Sequence, residues 1–287
     1  MLPYLNDFLK KLKDAQYSSE TIYNYERDLN TFSHYLVDHL GIDFNNINNT
    51  TLEDFKKYLS SSNRLTSAKN TTQHKLSTSS INRIFSSIKS YFKYLSDNNI
   101  KVPINFISVK LSKNKRKHVT VPSLSVLMQL IEAPNKFEID EIVKLRNRAM
   151  LETIFATGLS ISELLSLKIE NMDENGHLYI TSNGKKQRFV DVNSEAMNHI
   201  KDYLAKRVDD SPFMFVPCRG KNNTQKNKKI STNYLQFKIK EYRDLLGIDT
   251  VVSANSFRYG FFTHLTESNV NPTAINKIFS HHSLDEL

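Results

Sequence analysis

Side chains able to hold phosphate recur along this sequence in short, acid-free runs. Lys110, Lys113, Lys115, Arg116 and Lys117 form one; Arg219, Lys221, Lys226, Lys228 and Lys229 form another. Such runs neutralise a polyanion or simply keep a loop solvated, and on charge alone both readings stand. Single residues with chemical potential are scattered elsewhere. Arg258 ends the polar-aromatic helix start Asn255-Ser256-Phe257-Arg258, and Lys185 and Lys186 are adjacent in a turn. A guanidinium suits bidentate recognition of phosphate, and lysine or histidine suits proton transfer. His281 and His282 are neighbours, with His264 not far away, but no Cys or carboxylate stands at ligand spacing, so no metal site is expected. Ser160 has no identifiable base partner and reads as a helix-start residue rather than a nucleophile.

The elements that must carry these residues are mostly helical. Leu5 to Ala15 is a short amphipathic segment, and Ser18 caps a helix whose apolar positions are Ile22, Tyr25, Leu29, Phe32, Tyr35 and Leu36. Thr50 or Thr51 is expected to cap a third helix through Leu59, and residues 60–76 read as a polar loop. Ser77 or Thr78 opens a fourth helix with the stripe Ile81, Ile84, Phe85, Ile88, Phe92 and Leu95. Its other face carries Arg83, Lys89 and Lys93, either solvated or facing DNA. Residues 1–100 are thus a helical domain, 101–121 a basic linker, and 122–287 a second domain.

In that second domain Ser123 or Ser125 caps a helix to Ile131. A longer helix runs from about Ile139 to Thr157 and is closed by Gly158. Ser160 or Ser162 starts another to about Leu167. The period then changes: His177 to Thr181 and Arg188 to Val192 alternate as strands, joined by the turn Ser182 to Gln187. Asn193 or Ser194 caps a helix to Arg207, Phe213 to Val216 is extended, and helices follow at about 232–246, 255–267 and 271–279.

Four segments then line up in order. They are Ala156-Thr157-Gly158-Leu159-Ser160-Ile161-Ser162-Glu163-Leu164-Leu165, Asn183-Gly184-Lys185-Lys186-Gln187-Arg188, Asn255-Ser256-Phe257-Arg258-Tyr259, and Phe279-Ser280-His281-His282-Ser283. Together they resemble the tyrosine recombinases of the Xer and phage-integrase type, with patterns TGLRxSELL, GKGxKxR, HxxRHxFAT and LGHxS. Thr21 to Phe32 is similar to a helix of that family's N-terminal core-binding domain. The resemblance implies a mainly α fold with a small β-sheet: a four-helix SAM-like core-binding domain, then an α+β catalytic domain.

It also implies a chemistry. A tyrosine attacks a DNA phosphodiester to give a 3′-phosphotyrosine, arginines stabilise charge on the phosphorane, and lysine and histidine move protons. No metal, ATP or other cofactor is needed, because the bond energy is held in the covalent intermediate. The expected partners are double-stranded DNA, as a recombination half-site, and further copies of the chain in a tetramer on DNA. By that resemblance Arg258 and His281 match catalytic positions, whereas Ser160, Asn183 and Asn255 replace an arginine, a lysine and a histidine. Lys185 or Lys186 is a candidate substitute for the lysine. Tyr259 follows Arg258 and turns to another face of the helix. Arg188, Arg83, Lys89, Lys93 and the linker cations Lys110, Lys113, Lys115, Arg116 and Lys117 are expected at DNA. The family's tyrosine falls shortly after the His281 position, past Leu287. The reading is therefore site-specific recombination or integration, with a catalytically defective DNA-binding homologue as its alternative.

Composition agrees and excludes other classes. The chain has 287 residues and net charge +9, of which residues 1–121 supply +8. With 39% hydrophobic and 24% charged residues it can fill a core, so disorder is not its main state. No apolar run is long enough for a membrane span, and the N-terminus carries no secretory pattern. Cys218 is the sole cysteine, which excludes a disulfide framework. A cytoplasmic, reducing location is expected.

Overall fold

The computed structural model describes residues 2–62, 64–65, 71–72, 75–105, 122–181, 187–218 and 229–268. The chain divides into two compact units, Met1–Lys117 and His118–Leu287.

The first unit is built from α1 (Leu5–Asp14), α2 (Ser19–His34), α3 (Asn49–Ser60) and α4 (Thr78–Asp97). Ser18 caps α2, its Oγ accepting from the Thr21 amide at 3.1 Å. After His34 the chain winds on as a wider π-type turn, Tyr35–Leu40, that ends at Gly41 in the left-handed region (φ 64°). The cap of α3 is Asn48, not Thr50 or Thr51: its Oδ1 accepts from the Thr51 amide at 2.8 Å, while Thr51 Oγ1 accepts from the Asn48 amide. Asn48 wins because a reciprocal box satisfies two orphan donors instead of one. Within the polar stretch read as loop, Arg64–Leu65 and Thr71–Thr72 pair as a short antiparallel β1–β2 ladder.

All six stripe residues of α4 are buried, as its 3.6-residue period requires. Phe32 is fully enclosed, with ring centroids 5.0 Å from Phe55 and 6.3 Å from Phe92. Tyr91 is enclosed too and donates to the Pro3 carbonyl. A buried carboxylate, Asp28, joins α2 to α4 by accepting from Arg83 at 2.5 Å and Ser87 at 2.9 Å.

The second unit surrounds α6 (Glu141–Thr157), capped by Asp140 and closed by Gly158 at φ 62°. Helices α5 (Leu124–Phe137), α7 (Ile161–Leu164), α8 (Ser194–Ala205) and α10 (Ala254–Glu267) pack against it, and α9 (Thr232–Leu245) packs on α5. α5 runs past Ile131 to Phe137, and Pro134 is tolerated one turn from its end. α7 is a single turn that stops at Leu164 rather than Leu167. Strands β3 (His177–Thr181) and β4 (Gln187–Asp191) form an antiparallel hairpin with Leu178 opposite Val190, both in the core, and Tyr179 opposite Phe189, both exposed.

Buried on nearly all sides, α6 carries polar groups that need partners. Arg146 donates to Asn147 Oδ1, to the Val216 carbonyl at 2.9 Å and to Tyr234. Asn147 donates to Tyr242 at 2.7 Å, and Tyr242 donates to Glu138 at 2.5 Å. This network fixes α9 to α6. Among the described residues, no helix is long and apolar enough to cross a membrane.

Candidate phosphate-binding site

The site grows from the end of α6. Gly158 reverses the chain, Leu159 and Leu164 are drawn fully into the core, and the residues between them are left at the surface of the unit. Ser160 caps α7 in a capping box with Glu163. The Ser160 amide and hydroxyl both donate to Glu163 Oε2 at 2.8 Å, and the Glu163 amide donates back to Ser160 Oγ at 3.3 Å.

Two arginines reach the same carboxylate. From β4, Arg188 Nη2 donates to Glu163 Oε1 at 2.6 Å. Strand alternation directs Arg188 to the same side as the buried Val190 and opposite to the exposed Phe189. From the second turn of α10, Arg258 Nη1 stands 3.6 Å from Glu163 Oε2. The side chains of Glu163, Arg188 and Arg258 are 18%, 14% and 11% exposed. α10 is held close by its packing: Phe257 is fully buried, and Gly260 lies where a Cβ would fall 2.2 Å from Leu127 Cδ1.

The electrostatics follow from this shelter. Burial would raise the Glu163 carboxyl, but the Ser160 amide and the Arg188 guanidinium overcome it and hold the group below its usual value. Burial is also the largest influence on Arg258 and lowers its pKa; Glu163 opposes that, and the nearby Arg188 charge adds to it. Arg188 further lines a cavity of about 650 Å³, with Phe189 to Asn193 on one side and Phe261 and Leu265 of α10 on another. The arrangement can present two guanidiniums to an anion.

Of the residues picked out by motif, the structure brings together Ser160, Arg188 and Arg258. Asn255 is exposed one turn before Arg258, at the i,i+3 spacing that shares a helix face. Asn183, Lys185, Lys186, His281 and the linker cations Lys110 to Lys117 lie outside the described residues. Arg83 meets Asp28 and keeps its side chain 41% exposed, Lys89 is half-buried and Lys93 exposed. Glu163 was given no role by motif. The Ser160-x-x-Glu163 spacing announces a capping box, but nothing local announces its two arginine partners.

The profile of the "Phage integrase family" matches residues 123–287, and that of the "Phage integrase, N-terminal SAM-like domain" matches residues 5–99. The chain belongs to the phage integrase family. Among proteins similar to this family member, tyrosine recombinase XerA of Pyrococcus furiosus is 31% identical over 71% of this chain and 66% of its own. Tyrosine recombinase XerC of Halalkalibacterium halodurans is 26% identical over 98% and 89%. Among solved structures, the post-cleavage complex of XerH site-specific recombinase bound to palindromic difH substrate covers 98% of this chain and 78% of its own, at TM-score 0.72 and 23% identity. A λ integrase(75–356) dimer bound to a COC′ core site covers 98% and 94% at TM-score 0.69 and 13% identity. These likenesses place the fold: mainly helical with a small sheet, a SAM-like N-terminal unit and an integrase catalytic unit.

Proposed function

We propose that this phage integrase family member binds a double-stranded recombination half-site and takes part in site-specific recombination as a tyrosine recombinase, in the cytoplasm and as a tetramer on DNA. The observation that carries the reading is the convergence of Ser160, Arg188 and Arg258 on Glu163, three motif residues from three separate elements in one sheltered place. Family relatives named as tyrosine recombinases, and neighbours solved on DNA, support the same reading. In this scheme Arg258 donates to the non-bridging oxygens of the phosphate under attack, His281 joins it there, and Lys185 or Lys186 does the work assigned to the missing lysine. The helical region 1–100 and the basic stretch 101–121 add sequence-independent phosphate contacts.

A second reading is favoured by the fate of Ser160. Its hydroxyl is committed to Glu163, and Asn255 offers an amide where the family pattern has an imidazole. A site short of one arginine and one histidine suits a homologue that binds half-sites without cutting them, since losing one preorganised donor at an oxyanion costs about 10²–10³ in rate. A nicked suicide duplex separates the two readings. Trapping of a covalent protein–DNA adduct supports the recombinase, and tight binding without an adduct supports the binding-only homologue. Failure to retain any duplex would overturn both.

A further inference from the structure

Arg188 and Arg258 come from a strand and a helix 70 positions apart, yet they meet at one carboxylate. They face different oxygens of Glu163: Arg188 Nη2 donates to Oε1 at 2.6 Å, and Arg258 Nη1 stands at ion-pair distance, 3.6 Å, from Oε2, which accepts from the Ser160 amide and hydroxyl. Both side chains are sheltered, at 14% and 11% exposure. Bringing like charges together away from water is costly, and it is favoured where an anion with several acceptor oxygens bridges them. A carboxylate stands between them in this structure, hydrogen-bonded to Arg188 and at ion-pair distance from Arg258, where a phosphodiester could offer a non-bridging oxygen to each.

We propose that Arg188 and Arg258 form a single phosphate-binding pincer, so that the strand residue Arg188 is a second ligand of the DNA phosphodiester that Arg258 holds, and Glu163 keeps both guanidiniums in place when no phosphate is bound. The inference rests on the DNA-binding reading above and gives Arg188 a place at the reacting phosphate rather than along the flanking duplex. It also supplies a cation beside Ser160, where the family pattern has an arginine.

Equilibrium binding of the full chain to a short half-site duplex, recovered by selection from a random-sequence pool, tests the pincer. Arg188→Ala weakens binding about 10–100-fold, the effect of losing a charged phosphate contact. Arg188→Lys recovers part of that loss. The Arg188→Ala, Arg258→Ala double variant loses less than the product of the single losses, by more than the roughly 2-fold scatter of independent sites. Glu163→Gln separates a ligand from a positioning residue, because it breaks the same bridge while keeping both cations: it weakens binding by clearly less than Arg188→Ala does. If Glu163→Gln loses as much as Arg188→Ala, Arg188 acts only by positioning and the proposal falls. Wild-type affinity in Arg188→Ala also overturns it. Inorganic phosphate, followed by its ³¹P signal, separates the two levels. Uptake that Arg188→Ala abolishes, in a chain that retains no duplex, keeps the pincer and removes the DNA reading. Absence of both removes both.

Discussion

Glu163→Gln isolates the charge at the centre of the site. Glutamine preserves the side-chain volume and can still accept from the Ser160 amide, so the capping box survives. What goes is the negative charge facing Arg188 at 2.6 Å and Arg258 at 3.6 Å. A hydrogen bond to a charged partner contributes about 1.5–3 kcal/mol, against 0.5–1.5 for a neutral one, so the Arg188 bond loses about 1–1.5 kcal/mol. Leaving two sheltered guanidiniums without their shared counter-charge adds about 1 kcal/mol more; breaking a fully buried pair would cost 3–5 kcal/mol, and this site is partly open to water. The expected loss is about 2–2.5 kcal/mol, or about 4–10 °C in the transition of the second unit. The pH dependence has a definite sign. Because the folded Glu163 carboxyl is held below its ordinary value of 4.5, its stabilisation is present above that value and disappears as pH falls through the folded one. Calorimetric melts of wild type and variant therefore differ most near neutral pH and converge in acid. A variant within about 0.5 kcal/mol of wild type near pH 7, or a gap that widens in acid, would mean that the Glu163 charge does not hold the two arginines.

Other perturbations follow from the packing around this centre. Gly260→Ala drives a Cβ to 2.2 Å from the fully buried Leu127. The overlap costs about 1–3 kcal/mol against roughly 1 kcal/mol gained in helix propensity, so the melting temperature drops, and a rise would contradict the close approach of α10 to α5. Phe32→Ala opens a cavity among Phe55 and Phe92 and lowers the denaturation free energy of the first unit by about 3–5 kcal/mol, read from its urea midpoint. Glu152 is pushed up to about 7, by burial first and then by Glu195, with Arg148 opposing. Its raised folded value means that wild type loses stability as pH climbs from 4.5 to about 7; Glu152→Gln escapes this and gains on wild type over the same range, as chemical denaturation at several pH values would show.

Much of the helical frame was legible because its signals are local. The α4 stripe, the Ser18, Ser77 and Ser123 caps, the Gly158 stop and the β3–β4 alternation each lie within a few residues of what they specify. Asn48 was missed because Asn48, Asn49, Thr50 and Thr51 are all competent caps, and only the reciprocal bond distinguishes one of them. The burial of α6 was not legible either. Arg146, Asn147, Arg148 and Glu152 look like a solvated face, and their partners Tyr234, Tyr242, Val216 and Glu132 lie far along the chain or on another helix. The same holds at the site. Motif order pointed to Ser160, Arg188 and Arg258, while the carboxylate that unites them passed as part of a helix start. Its Arg188 bond closes over 25 residues, a separation that no local pattern encodes.

In the proposed function this cluster holds one DNA phosphate through Arg258. Replacing single phosphates of a half-site duplex, one position at a time, by neutral methylphosphonates tests it directly. One position is expected whose neutralisation weakens wild-type binding about 10–100-fold and Arg258→Ala binding clearly less, because only the Arg188 part of that contact is left in the variant. Equal sensitivity of both proteins at every position would contradict it.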